Sequence, residues 1–195
     1  MKKIIFVNLI LTASIIACNN NKTDNTAATT TDSSTTVKDS TPAPADTAAA
    51  NNANKDVDFV MAAADGGMTE VKLSQLAKTN GSAAAVKSLA DMMIADHTKA
   101  NNELKSIAGK NNISVPETLS ADKQKAYDDM ATKKGADFDK AYMDKMEKDH
   151  TDAIELFQRE ANSGMNPDLK TFATNTLPTL NHHMDMVNTT KKGMK

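Results

Sequence analysis

Cysteine, arginine and tryptophan are nearly missing from these 195 residues: one Cys (Cys18), one Arg (Arg159) and no Trp. A lone thiol excludes an internal disulfide framework, so packing alone has to hold the fold. Aromatic residues make up only 4% of the chain, and nowhere do they interleave with a basic patch. Nucleic acid is therefore not an expected partner. Charge of one sign is lacking as well: Lys+Arg 23 against Asp+Glu 25 leaves −2, spread along the chain. No Ser or Cys sits in a nucleophile motif and no glycine-rich phosphate loop occurs, so neither nucleophilic catalysis nor nucleotide binding is supported. Alternating β-branched runs are missing too, which argues against strands. The length suits one domain with an appendage and is thin for two.

The chain opens with Met1-Lys2-Lys3 and an apolar run from Ile4 to Ala17 that is too short to cross a bilayer comfortably. A basic start and a short apolar run mark residues 1–17 as a secretory signal peptide. The run ends in Ile15-Ile16-Ala17-Cys18, which resembles a bacterial lipobox, so Cys18 is the expected lipidation site and a membrane the expected partner. Asn19 follows, not the Asp that resembles an inner-membrane retention signal. The expected address is therefore the outer membrane of a Gram-negative cell, facing the periplasm. Of the 37 residues from Asn19 to Lys55, 27 are Thr, Ala, Asn or Ser. Such a tract cannot bury enough surface to offset its ordering entropy. Residues 18–55 thus read as a lipidated Cys and a disordered tether, reaching on the order of 33 Å.

Residues 56–195 keep helical spacing between punctuation at Asn80-Gly81-Ser82, Gly109 to Ser120, and Asn162 to Pro167. Four long helices are expected, at about Val57–Thr79, Ser82–Gly109, Asp137–Ala161 and Pro167–Thr190. A short one capped by Ser120 runs to about Lys134. Pro178 should kink the last helix. Asp58-Phe59-x-x-Ala62 recurs as Asp137-Phe138-x-x-Ala141, and Val86-Lys87-x-Leu89-Ala90 as Leu169-Lys170-x-Phe172-Ala173, at shifts of 79 and 83. The expected fold is all-α: a ferritin-like up-down four-helix bundle, built from a duplicated hairpin with a crossover helix.

Angular spacing turns Glu70, His97 and His183 into the apolar stripes of their helices, with Asp149 and His150 straddling a third. Buried unpaired, such groups would cost several kcal/mol, so each other, water or a metal must satisfy them. As metal ligands the candidates are Glu70, His97, Asp149, His150 and His183. Ferritin-like di-metal sites take Glu from two helices and Glu-x-x-His from the other two. Here the only such pair is Glu147-x-x-His150, and Glu147 projects outward, so an oxygen-rich di-iron (Fe) site is incomplete. Nitrogen-heavy ligation suits copper (Cu) or zinc (Zn) better. Met93 and His97, Met146 and His150, and His182 and Met186 stand four apart; thioether with imidazole suits Cu(I), while Met also serves as plain core filler. A metal-free carboxylate–His network that fixes helix register is the other reading. Counted from Gly81 and Gly164, the layers differ by four or five residues, roughly 6–8 Å along the axis.

The Glu70 helix after Gly66-Gly67, Asp96-His97-Thr98, Asp149-His150-Thr151, Phe138-Asp139-x-x-Tyr142 and Leu177-Pro178 ahead of His183 together resemble one bacterial family. It is the ferritin-like domain-of-unknown-function family 4142, often labelled outer-membrane protein. The resemblance spans about Val57 to Val187. It implies an exported ferritin-like bundle and no established activity, and it names no protein partner.

Overall fold

In the computed structural model of the chain, residues 46–194 are described, with side chains from Lys55 onward. The expected signal peptide at 1–17, the expected lipid site at Cys18 and the expected tether as far as residue 45 lie outside the described residues. Five helices follow in order: α1 (Asp46–Asn80), α2 (Ala84–Lys110), α3 (Ala121–Ala131), α4 (Gly135–Ser163) and α5 (Pro167–Gly193). Among the described residues there is no strand, and the fold is all-α. No described helix is long and apolar enough to cross a membrane.

Local chemistry sets most of the boundaries. The Ser120 side chain accepts from the Lys123 amide at the start of α3, and Asn166 accepts from the Asp168 and Leu169 amides at the start of α5. Gly135 turns the chain into α4 with φ of 60°, a conformation that costs glycine little. One boundary departs from expectation: α1 begins at Asp46, within the stretch read as tether. Alanine is the strongest helix former, and the run Ala48 to Ala50 favours that early start. The last helix, α5, has Pro178 inside it, as expected, and runs on to Gly193. Both Pro178 and Thr174, whose carbonyl loses its donor, are exposed, so water can satisfy it.

The four long helices form two hairpins, α1–α2 and α4–α5, with α1 packed also on α4 and α2 on α5. Two apolar clusters share the interior. One gathers Leu73, Ala77, Val86, Leu89, Phe138 and Val187; the other gathers Phe59, Leu104, Ala108, Phe157, Leu169 and Phe172. Membership fixes direction: α1 and α5 run from the second cluster to the first, α2 and α4 the opposite way. Every helix is thus antiparallel to both neighbours. The α2–α4 connection has to cross the length of the bundle, and α3 lies along it against α1 and α4.

Each hairpin turn is capped by a buried aspartate from the other hairpin. Asp139 of α4 accepts from the Ser82 amide and hydroxyl and the Ala83 amide; Asp56 of α1 accepts from the Met165 and Asn166 amides. Gly81 N–H bonds to the Ala77 carbonyl, as Gly164 N–H does to that of Glu160. These pairs are all offset by 83 (139 − 56, 164 − 81, 160 − 77). The hydrogen bonds therefore extend the 83 shift to α1 and α4. They place Phe59 opposite Tyr142 rather than opposite Phe138, the partner suggested by the 79 shift.

Candidate metal centre

Between the two apolar clusters the bundle carries a polar layer. Glu70 on α1, His97 on α2, His150 on α4 and His183 on α5 are all buried, the last two completely. The axial mismatch expected from glycine counting shrinks when helix ends are the reference. Glu70 lies 10 residues before Asn80 and His97 13 after Ala84; His150 lies 13 before Ser163 and His183 16 after Pro167. A difference of three residues is about 4.5 Å, within reach of these side chains. His97, His150 and His183 each bring one ring nitrogen within 4.8 Å of the others, and the three could hold a metal ion.

Neighbouring acceptors assign the tautomers. His150 Nδ1 lies 2.9 Å from the Met146 carbonyl oxygen, which can only accept, so the proton is on Nδ1 and Nε2 is a bare lone pair. His183 Nε2 lies 2.9 Å from Asp96 Oδ2, which leaves Nδ1 as the lone pair. Those two lone pairs, His150 Nε2 and His183 Nδ1, face each other at 3.2 Å. His97 Nδ1 faces Glu70 Oε2 at 3.2 Å, and its Nε2 has no hydrogen-bond partner. Each ring thus gives one nitrogen to a carboxylate or carbonyl and keeps the other as a free electron pair. Outer partners of this kind orient metal-bound histidines.

The electrostatics keep the rings neutral. Burial pushes His97 down to about 4. It lowers His150 and His183 as well, against the opposing pull of Glu70 on the first and of Asp96 on the second. Burial raises Glu70 to about 7, partly offset by His150. Glu70 Oε1 lies 3.2 Å from His150 Nδ1 yet makes no hydrogen bond, because that N–H is directed at Met146. A tetrahedral site with metal–nitrogen bonds of 2.0–2.1 Å has nitrogen–nitrogen edges of about 3.3 Å. The His150–His183 edge already has that length; the widest separation would have to close by about 1.5 Å.

The sequence-derived residues sort into three groups. His97, His150 and His183 converge. Glu70 is beside them, with its carboxylate against the protonated edges of His97 and His150, the place of an orienting group rather than a ligand. Asp149 does not join them: both its oxygens lie 2.5 Å from the Lys145 ammonium, and Lys123 approaches at 3.8 Å. Charge pairing one turn away holds it off the cluster. Glu147 is turned outward, as expected, onto Lys191. His182 and Met186 are exposed, so that His–Met pair is outside the interior. Asp96 was missed, because helical spacing places it off the apolar stripe; its adjacency to His97 was the only signal. Of the two neighbouring glycines, only Gly67 has a close neighbour, the Asn101 side chain. A Cβ there would meet Asn101 Oδ1 at 2.1 Å, while one at Gly66 would meet nothing within 4 Å.

The 83 offset exposes a broken symmetry. The counterparts of His150 and His183 are Gly67 and Ala100; those of Glu70 and His97 are Ala153 and Leu180. The frame is duplicated but the polar layer is not.

Comparison with known proteins agrees at the level of fold and family. The chain is similar to the crystal structure of a DUF305 fragment from Deinococcus radiodurans, with a TM-score of 0.61 and 12% identity. The match covers 70% of this chain and 94% of that one. No curated relative matches. Residues 41–190 match the model of the family described as domain of unknown function DUF4142, and the chain belongs to that family.

Proposed function

We propose that this protein is an envelope-anchored, ferritin-like lipoprotein that binds or buffers a transition metal inside its bundle. The ion is held by His97 Nε2, His150 Nε2 and His183 Nδ1. Glu70, Asp96 and the Met146 carbonyl fix the three rings. One observation carries this reading: two buried lone pairs 3.2 Å apart, with both opposite nitrogens already donating to fixed acceptors. A metal-free network would need a proton between those atoms, and burial disfavours the charged ring that would carry it. Three neutral imidazoles suit zinc or copper more than iron, and a metal bound there would supply Lewis acidity or, for copper, a redox couple. Single-crossover connectivity, as between α2 and α4, occurs in ferritin-like folds and supports that part of the reading. The signal segment, the lipobox-like Cys18 and Asn19 support an anchor in the outer membrane, facing the periplasm.

Elemental mass spectrometry of the purified chain after separate exposure to Fe, Cu and Zn tests the binding. Close to one equivalent of one metal should survive desalting, and His97→Ala and His183→Ala should each lose it. Retention of none of the three by a folded chain would leave the metal-free network standing.

A further inference from the structure

A cavity of about 260 Å³ opens beside the His cluster, with His97, His183 and Glu70 in its wall. It is far larger than the share of a single water, about 30 Å³. Gly67, Ala100, Ala153 and Leu180 all line it. These are the four positions that the 83 offset makes equivalent to His150, His183, Glu70 and His97. The cavity thus lies where the duplicated frame would place a second polar layer, three of whose four side chains are reduced to Gly or Ala. Protein interiors are otherwise packed close to crystal density, so space kept open by small residues on three helices calls for an occupant. It communicates with solvent: Asp96 and Asp152 are on its rim with side chains 41% and 60% exposed.

Resting on the metal reading above, we propose that this cavity is a binding pocket for a small neutral molecule with a nitrogen or oxygen donor. The donor faces the His cluster, at the coordination position that three protein ligands leave free. Three-histidine sites with a fourth, exchangeable position are the open type. Glu70, His97 and His183 are the cluster residues in the cavity wall. Size and charge set the class. Leu104, Leu156, Phe157 and Phe172 make the walls apolar, which favours a flat, compact molecule. Carboxylates of Asp65, Asp96, Asp149 and Asp152 outnumber the one ammonium in the lining, Lys123, so an anion is repelled.

Imidazole is the probe and azide its anionic counterpart, each titrated into the cobalt(II)-loaded chain and followed by the visible d–d bands. Metal content is measured on the same samples. Imidazole should shift the bands saturably at one equivalent, and azide should bind at least tenfold more weakly. Ala100→Leu and, as a second variant, Thr176→Leu fill the cavity from α2 and α5. Either should keep stoichiometric cobalt and its helical circular dichroism while weakening imidazole at least tenfold. Full cobalt with no imidazole shift, an equal shift in wild type and both folded variants, or azide binding as tightly as imidazole would each overturn the pocket while sparing the metal site. Failure to take up cobalt counts against the metal site. Imidazole-induced shifts of the His97 and His183 ring protons, followed by NMR on the metal-free chain, then decide the cavity: saturable shifts support it and none refutes it.

Discussion

Asp96→Ala separates the metal reading from a merely polar core. Asp96 is the sole group on the outer nitrogen of His183 among the described residues, at 2.9 Å, and it fixes the tautomer that points Nδ1 at the cluster. Without it the ring proton can move to Nδ1, and the lone pair that would bind metal is lost to the other edge. Removing outer partners of metal-bound histidines typically costs 10–100-fold in affinity. The Asp96 side chain is 41% exposed, so solvent screens its charge and the lower half of that range, about 10–30-fold, is expected. Asp96→Asn keeps an acceptor for the Nε2–H and should lose only a few-fold. Asp149→Asn is the matched control. It removes a carboxylate equally close in sequence to a cluster histidine, but one engaged by Lys145, and affinity should stay within about twofold. Competition against a chromophoric chelator at constant pH measures all three. Wild-type affinity in Asp96→Ala, or a loss in Asp149→Asn as large as in Asp96→Ala, would refute the assigned geometry.

The metal-free chain should be most pH-sensitive between about 4.5 and 6.5. There the His97 ring is neutral when folded and burial also disfavours charge on His150 and His183, while all three protonate when unfolded; Glu70 is protonated when folded and ionised when unfolded. The rings contribute stability present above 6.5 and lost as pH falls; Glu70 contributes stability present below 4.5 and lost as pH rises toward 7. The net difference is three protons less one, so stability should drop with falling pH by at most about 3 kcal/mol per unit. Urea midpoints in metal-free buffer check this, and a flat profile would contradict buried neutral imidazoles. Gly66→Ala, in open space on a helix, should stabilise by about 0.5–1 kcal/mol in thermal or urea unfolding. Gly81→Ala should instead cost about 1–3 kcal/mol, because its Cβ would lie 2.6 Å from the Ala77 carbonyl oxygen, which is backbone and cannot swing away. Asp139→Ala strips a buried carboxylate from two amides and a hydroxyl at the α1–α2 turn and should cost about 3 kcal/mol, read from urea unfolding.

Helical periodicity and punctuation were sufficient for the all-α class, the two hairpins and the inward direction of Glu70, His97 and His183, and left Asp149 and His150 straddling their stripe. Each follows from local rules: 100° per residue, turn chemistry at Asn80-Gly81-Ser82, and an apolar stripe that must be buried. Asp149 shows where those rules stop. It shares a stripe with His150, yet a lysine one turn back takes its charge, and angular position says nothing of partners. Asp96 shows the converse, a residue off the stripe that reaches His183 because α2 and α5 are neighbours, a fact that 86 intervening residues conceal. Reciprocal capping by Asp56 and Asp139 depends on two hairpins packing side by side, with the turn of each at the open end of the other. The facing lone pairs depend on which oxygen lies behind each ring. Sequence by itself therefore determined which side chains enter the bundle, because helix geometry is local. Only the tertiary structure decided which of them meet, which edge of each ring is free and where the cavity opens, because those depend on distances between helices remote in the chain.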